Sequence, residues 1–223
     1  MKKYNMISLE KIKGVIFDLD GVLVDTERLH YLTWVEVLKP FGINFTKEDY
    51  FNYAGKREDV IEVELIKNYN LKNIEKNFLF NQKRGLSKKW IKSKELKLMP
   101  YSKEAVEYFA NKKVKLAICS GGYKDEIIVK LKRTGFYPFF PIIVSGGEIE
   151  RGKPYPDIYL LAAKKLGLSP KECLAFEDTQ YGLESAKSAG LTCFAIPGEF
   201  SVKQDFSKAD KVFANFKKMI EPV

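Results

Sequence analysis

The chain has 223 residues, 45% of them hydrophobic and 30% charged, and 38 Lys and Arg against 29 Asp and Glu give it a formal charge of +9. That composition is too apolar for a disordered chain and too charged for a membrane bundle, and no apolar run approaches the roughly 18 residues of a transmembrane span. The length permits one domain, or one domain with a sizeable insertion, and enough burial for a real core. His30 is the only histidine, so zinc sites that need two imidazoles are excluded and any metal should be held by oxygen. Cys119, Cys173 and Cys193 each lie in an apolar run, which fits reduced, buried thiols. A soluble, unsecreted, cytoplasmic protein is the expectation.

Along the chain, short runs rich in Val and Ile alternate with segments of helical period, the pattern of a parallel α/β sheet. The expected strands are Val15 to Asp18, Val114 to Cys119, Pro141 to Ser145, Cys173 to Phe176 and Thr192 to Ile196. The helices between them have readable ends. Ser102 to Asn111 is one; Lys124 to Arg133, Asp157 to Leu166 and Thr179 to Ala189 are followed by Gly135, Gly167 and Gly190. Gly just past a helix is the expected stop. Ser169, Pro170 and Glu172 supply cap, first-turn proline and capping-box acid for one turn before the fourth strand.

One stretch breaks the alternation. From about Asp25 to Leu96 the chain has helical periodicity and no convincing strand, so a mostly helical insert follows the first strand. Its first helix starts near Thr26 and must stop by Lys39, because Pro40 lacks a donor and restricts its neighbour. The expected division is therefore 1–24 with 97–223 as a catalytic core and 25–96 as a helical unit. From Lys67 to Lys97 there are ten Lys or Arg and two acids, which accounts for +8 of the charge. Without a helix-turn-helix, finger or RNP-type signature this reads as a solvated helix face, and no nucleic-acid partner is expected.

The informative feature is what ends each strand. VIFDLD runs into Gly21, LAICS into two glycines, PIIVSGG into RGKP, and CLAFED into Thr179. In open α/β sheets the ligand crevice lies outside these carboxyl ends, so carboxylates, a hydroxyl, glycine amides and a lysine converge there. Asp18 and Asp20, at i and i+2 on an extended end, should point the same way, and two carboxylates that close resist joint ionisation unless a cation or shared proton intervenes. Asp-Gly is also a common hairpin signal, but a helix rather than a second strand follows. Ser120, Gly121 and Gly122 offer an anion pocket near a helix start. Lys153 lies between Gly152 and Pro154 as a placed charge. Glu177 and Asp178 close a buried strand and need a cation or Lys153 beside them. Asp18 and Asp178 supply the hard oxygens Mg²⁺ prefers, and the set reads as phosphate chemistry.

FDLDGVLVDTE from Phe17, the Ser120 turn, GKPYPDIY from Gly152 and FEDTQYG from Phe176 resemble, in order and over essentially the whole chain, the haloacid dehalogenase superfamily. The insert resembles the small cap of its β-phosphoglucomutase and sugar-phosphatase branch. The resemblance implies a Rossmann-like parallel sheet with helices on both faces plus an inserted all-helical cap. It implies Asp18 as nucleophile, forming an aspartyl-phosphate, and Asp20 as acid and then base. Asp18, the backbone carbonyl of Asp20 and Asp178 would hold Mg²⁺, with Glu177 just outside. Ser120, Gly121 and Lys153 would bind phosphate. In the cap, Thr26 and His30 would meet the substrate, and Arg57, in GKREDV, resembles an arginine that grips a distal phosphate. The implied activity is Mg²⁺-dependent hydrolysis of a small phosphorylated metabolite such as a sugar phosphate; the alternative is a phosphosugar isomerase. A monomer, with no membrane partner, is expected.

Overall fold

The computed structural model describes residues 11–220. Six parallel strands stand in the order β3-β2-β1-β4-β5-β6, with β1 Gly14–Phe17, β2 Lys115–Ser120, β3 Ile142–Ser145, β4 Cys173–Glu177, β5 Thr192–Ala195 and β6 Lys211–Val212. Central β1 lies between β2 and β4, with Phe17 opposite Ile118 and Phe176. Strand order reverses at β1, which puts a crevice above its carboxyl end.

Alternation along the strands divides the core. Val15, Phe17, Ile118 and Phe176 enter one cluster, while Ile16, Ala117, Cys119 and Ala175 enter another on the opposite face. The first face is bulky: Phe17 and Phe176 stack at 5.1 Å under helices α5 (Ser102–Asn111) and α6 (Lys124–Arg133). The second is built of small residues, so α7 (Asp157–Leu166) and α8 (Gln180–Ser188) approach closely through Ala162 and Ala186. Cys119, Cys173 and Cys193 are free and buried there. Burial on both faces explains why the strands read as continuous apolar runs.

Between Phe17 and Lys115 the named elements are helices: α1 (Glu27–Leu38), α2 (Lys47–Tyr50), α3 (Glu58–Asn68), α4 (Phe78–Ser93) and α5. α1 ends as expected, passing into a 3-10 turn that contains Pro40 and stops at Gly42 with φ +70°. α1 to α4 share a third hydrophobic cluster around Trp34, Phe45, Leu65 and Leu79, to which Phe200, beyond β5, also contributes. The chain leaves and returns side by side: Asp25 N donates to Lys97 O at 2.8 Å and Met99 N to Leu23 O at 3.0 Å. A short helix α9 (Lys217–Ile220) ends the described residues, and none of their helices is long and apolar enough to cross a membrane.

Two expectations need correction. β6 carries no strand signal in its two residues and is recruited by pairing with β5. The basic stretch is only partly a solvated face. Lys83 is 1% exposed, the Arg84 guanidinium lies 3.5 Å above the Tyr123 ring, and Lys88 bonds Asp125 at 2.9 Å, so α4 docks on α6 through part of its charge.

Candidate active site

Asp18 and Asp20 lie just past the end of β1. Asp18 N still donates to Phe176 O at 3.0 Å, but the chain then turns through Gly21 at φ +81°, where a Cβ would fall 2.1 Å from Asp178 Oδ2. Asp18 and Asp20 line the same cavity, as extended spacing led one to expect, and Asp20 is near enough to oppose ionisation of Asp18, yet each also meets its own lysine.

Lys153 Nζ, beyond β3 and on the loop before α7, lies 2.5 Å from Asp18 Oδ1 and also bonds Glu177 Oε1. Tyr159 OH donates to the same Glu177 oxygen, while Glu177 Oε2 is buried without a partner. Asp18, Glu177 and Asp178 place carboxylate oxygens within 4.8 Å of one another. Burial pushes Asp18 up to about 8 against the pull of Lys153, with Glu177 and Asp20 adding to the rise. Burial and Asp18 likewise raise Asp178 well above the usual carboxylate range. Lys153 is raised because Asp18 and Glu177 outweigh its own desolvation.

Asp20 has the opposite environment. Although burial opposes ionisation, Lys130 and His30 hold its carboxyl well below the usual range. Lys130 Nζ and Thr26 Oγ1 both bond Asp20 Oδ1, and Ser120 Oγ lies 3.3 Å from Oδ2. Ser120 also accepts from Gly122 N at 3.1 Å, which fixes the turn after β2.

The helical side closes a cavity of about 430 Å³ over these groups. His30 Nε2 is 3.8 Å from Asp20 Oδ1, and its Nδ1 is 2.7 Å from Lys83 Nζ, which also bonds Glu58. Arg57 caps the start of α3, where Nε and Nη2 meet Asp59 at 3.0 and 2.8 Å. It packs so closely on the lysine loop that a Cβ on Gly152 would lie 2.7 Å from Arg57 Cδ.

Asp18, Asp20, His30, Arg57, Ser120, Gly121, Lys153 and Asp178 thus all line one cavity. Two placements depart from the sequence reading. Thr26 is fully buried and bonds Asp20 rather than facing the cavity. Asp20's carboxylate bonds Lys130 and stands outside the acidic trio; the resemblance assigned its backbone carbonyl, not its carboxylate, to an ion. Glu177, expected outside the metal position, belongs to the trio. Sequence reading missed Lys83, Glu58 and Lys130. The signal existed for both lysines, because Lys83 falls on the buried stripe Leu79, Lys83, Ser87, Ile91 and Lys130 on Ile127, Lys130, Leu131. A lysine on an apolar stripe must find a carboxylate.

The trio suits a divalent cation. Three carboxylates cluster beside one lysine that bonds only Asp18 and Glu177, two of the three are pushed toward neutrality, one buried oxygen lacks a hydrogen bond, and every donor is a hard oxygen. Glycines clear the space: a Cβ on Gly182 would fall 1.9 Å from Glu177 Oε2, as one on Gly21 would strike Asp178.

Comparison with known proteins identifies relatives of the chain. A phosphorylated carbohydrates phosphatase of Thermotoga maritima is 33% identical over 180 residues, covering 81% of this chain and 82% of that protein. β-Phosphoglucomutase of Bacillus subtilis is 33% identical over 190 residues, covering 83% of this chain and 82% of its own length. The structure of CbbY from Rhodobacter sphaeroides in complex with phosphate has the same fold, with a TM-score of 0.82 at 24% identity over 93% of this chain and 96% of that one. The family model for haloacid dehalogenase-like hydrolases matches residues 15–196, and the chain belongs to that family.

Proposed function

We propose that the protein is a Mg²⁺-dependent phosphatase that hydrolyses a small phosphorylated carbohydrate through an aspartyl-phosphate on Asp18. The observation that carries this reading is the Asp18, Glu177, Asp178 trio, two of whose members bond Lys153, with Asp18, Asp178 and Lys153 lining a cavity that Asp20 also faces. Asp18, Asp178 and Glu177, with the backbone carbonyl of Asp20, would hold Mg²⁺, which screens repulsion between carboxylate and phosphate.

Asp18 Oδ attacks phosphorus as the ester P–O bond breaks, and Asp20 delivers a proton to the departing alkoxide. Asp20 then takes a proton from water, which attacks phosphorus and releases phosphate and Asp18. Lys153, with Ser120 and the Gly121 backbone, holds the phosphoryl oxygens as charge redistributes. Lys130 keeps Asp20 in the ionised form that the water step uses. The leaving-group step needs Asp20 protonated, so Asp20 has to leave Lys130 as the substrate settles. His30, linked to Lys83, stands beside Asp20 where a substrate hydroxyl would lie.

The same first step would serve a phosphosugar isomerase, in which a sugar hydroxyl replaces water. Incubation with Mg²⁺ and β-glucose 1-phosphate separates the two. Free phosphate is the expected product; glucose 6-phosphate without phosphate release would assign the isomerase reading.

A further inference from the structure

The chain carries +9 overall, yet eight carboxylates and five Lys or Arg side chains line its cavity. A basic protein has thus made an acid-rich pocket, and the imbalance extends away from the catalytic end. On the helical wall, each cation that faces the cavity has an acid of its own. Lys56 bonds Glu64 through both oxygens at 2.9 and 2.8 Å, Arg57 pairs in two-pronged fashion with Asp59, and buried Lys83 bonds Glu58. Glu58 and Asp59 occupy the first turn of α3, so the helix end that would attract an anion already holds its own carboxylates. Glu27 and Glu126 face the same space. Glu27 accepts from Tyr50 OH at 3.0 Å, and Glu126 Oε1 is buried with no hydrogen-bond partner, its ion-pair contact with Arg84 Nε being 3.6 Å long.

We infer that the distal half of the cavity is built for an uncharged, hydroxyl-bearing group, and that Glu58 and Asp59 select phosphomonoesters of neutral polyols against bisphosphates. The inference rests on the phosphatase reading for the identity of the proximal phosphate. Its physical content is desolvation and repulsion. A second phosphate would have to displace Asp59 from Arg57 or Glu58 from Lys83, and would then face the displaced carboxylate across a confined space. A hydroxyl makes no such demand. It donates to a carboxylate oxygen such as Glu126 Oε1, a buried acceptor that has a 3.6 Å ion pair with Arg84 but no hydrogen bond. Arg57, which the family resemblance offered as a grip for a distal phosphate, is already committed.

The test is equilibrium binding, which does not require turnover. Titration calorimetry on the Asp18→Asn protein with Mg²⁺ present should show fructose 6-phosphate binding roughly tenfold or more tightly than fructose 1,6-bisphosphate. Introducing Asp59→Asn into that background frees Arg57 and should shift the ratio of the two affinities toward the bisphosphate by roughly tenfold. Equal binding, tighter binding of the bisphosphate, no binding of either ester, or a ratio unmoved by Asp59→Asn overturns the inference. Phosphate release by the native protein is scored separately: a preference for the monophosphate without any release would leave the inference standing and remove the phosphatase reading.

Discussion

At the sheet end of the cavity three carboxylates cluster around one lysine, which bonds two of them, whereas at the helical end each cation has a carboxylate to itself. The first arrangement holds more acid than its lysine balances. Asp18 and Asp178 are driven toward the neutral form, and an oxygen of Glu177 is left unpaired, so that end is prepared for incoming positive charge. In the second every cation is already neutralised, and Glu27 and Glu126 stand beside those pairs, so what surplus there is disfavours a further anion. On the proposed reading one region would do the chemistry on a phosphoryl group, and the other would choose among the remainders attached to it.

The comparison can be broken most severely at the sheet end. Asp18→Asn should lower turnover by roughly 10⁴-fold while leaving the far-ultraviolet circular dichroism unchanged. Residual activity above about a hundredth of the parent would remove Asp18 as nucleophile. Withdrawing Mg²⁺ with a chelator should stop catalysis reversibly, and returning the ion at 100 times its dissociation constant should stabilise the fold by about 2.7 kcal/mol. An unshifted melting temperature would show that the trio does not hold the ion.

Lys153→Met comes next. It leaves Asp18 and Glu177 buried without their cation, so turnover should fall by about 10²–10³ and stability without Mg²⁺ by about 3 kcal/mol or more. Because an ion would replace part of the missing charge, Mg²⁺ should recover more stability in this variant than in the parent. Denaturant titrations with and without the ion measure that difference.

At the helical end the effects should be smaller. Lys83→Met nearly conserves volume and strands Glu58, whose side chain is 29% exposed, so kcat/KM should fall by about tenfold with little loss of stability. A loss as large as that of Lys153→Met would erase the proposed asymmetry. The smallest effect belongs to an exposed control, Glu148. Burial acts against its ionisation, but the Lys165 ammonium and the Ser145 amide and hydroxyl outweigh it and hold the carboxyl at about 2, below its ordinary 4.5. Its contribution is therefore complete above pH 4.5 and is lost as the pH falls toward 2. Glu148→Gln should cost less than about 1 kcal/mol at pH 7, and melting curves of the two proteins should converge on acidification.

The two ends also differed in how far they could be read from sequence. β1 to β5 and the helices between them were legible because burial on both faces makes strands continuous apolar runs, and because Gly135, Gly167 and Gly190 stop their helices in left-handed geometry. Asp18, Ser120, Lys153 and Asp178 were legible because each lies directly after, or on a short loop beyond, a strand that points into the crevice. The charge pairs of the helical wall were not. Lys83 meets His30 from 53 residues away and Lys130 meets Asp20 from 110, and no local periodicity fixes how α4 and α6 turn toward α1. The spacing of Asp18 and Asp20 indicated that both would face the crevice, but not that each would meet a different lysine, Lys153 and Lys130, from elements far along the chain.

The most direct test of the account is to identify the residue that carries phosphate during turnover. Acid quenching of the Mg²⁺-loaded protein within milliseconds of mixing with ³²P-labelled substrate, followed by borohydride reduction and peptide mapping, should convert Asp18 alone to homoserine and leave the Asp18→Asn protein unlabelled. Label on another residue, or full turnover with no labelled protein at any time, would contradict it.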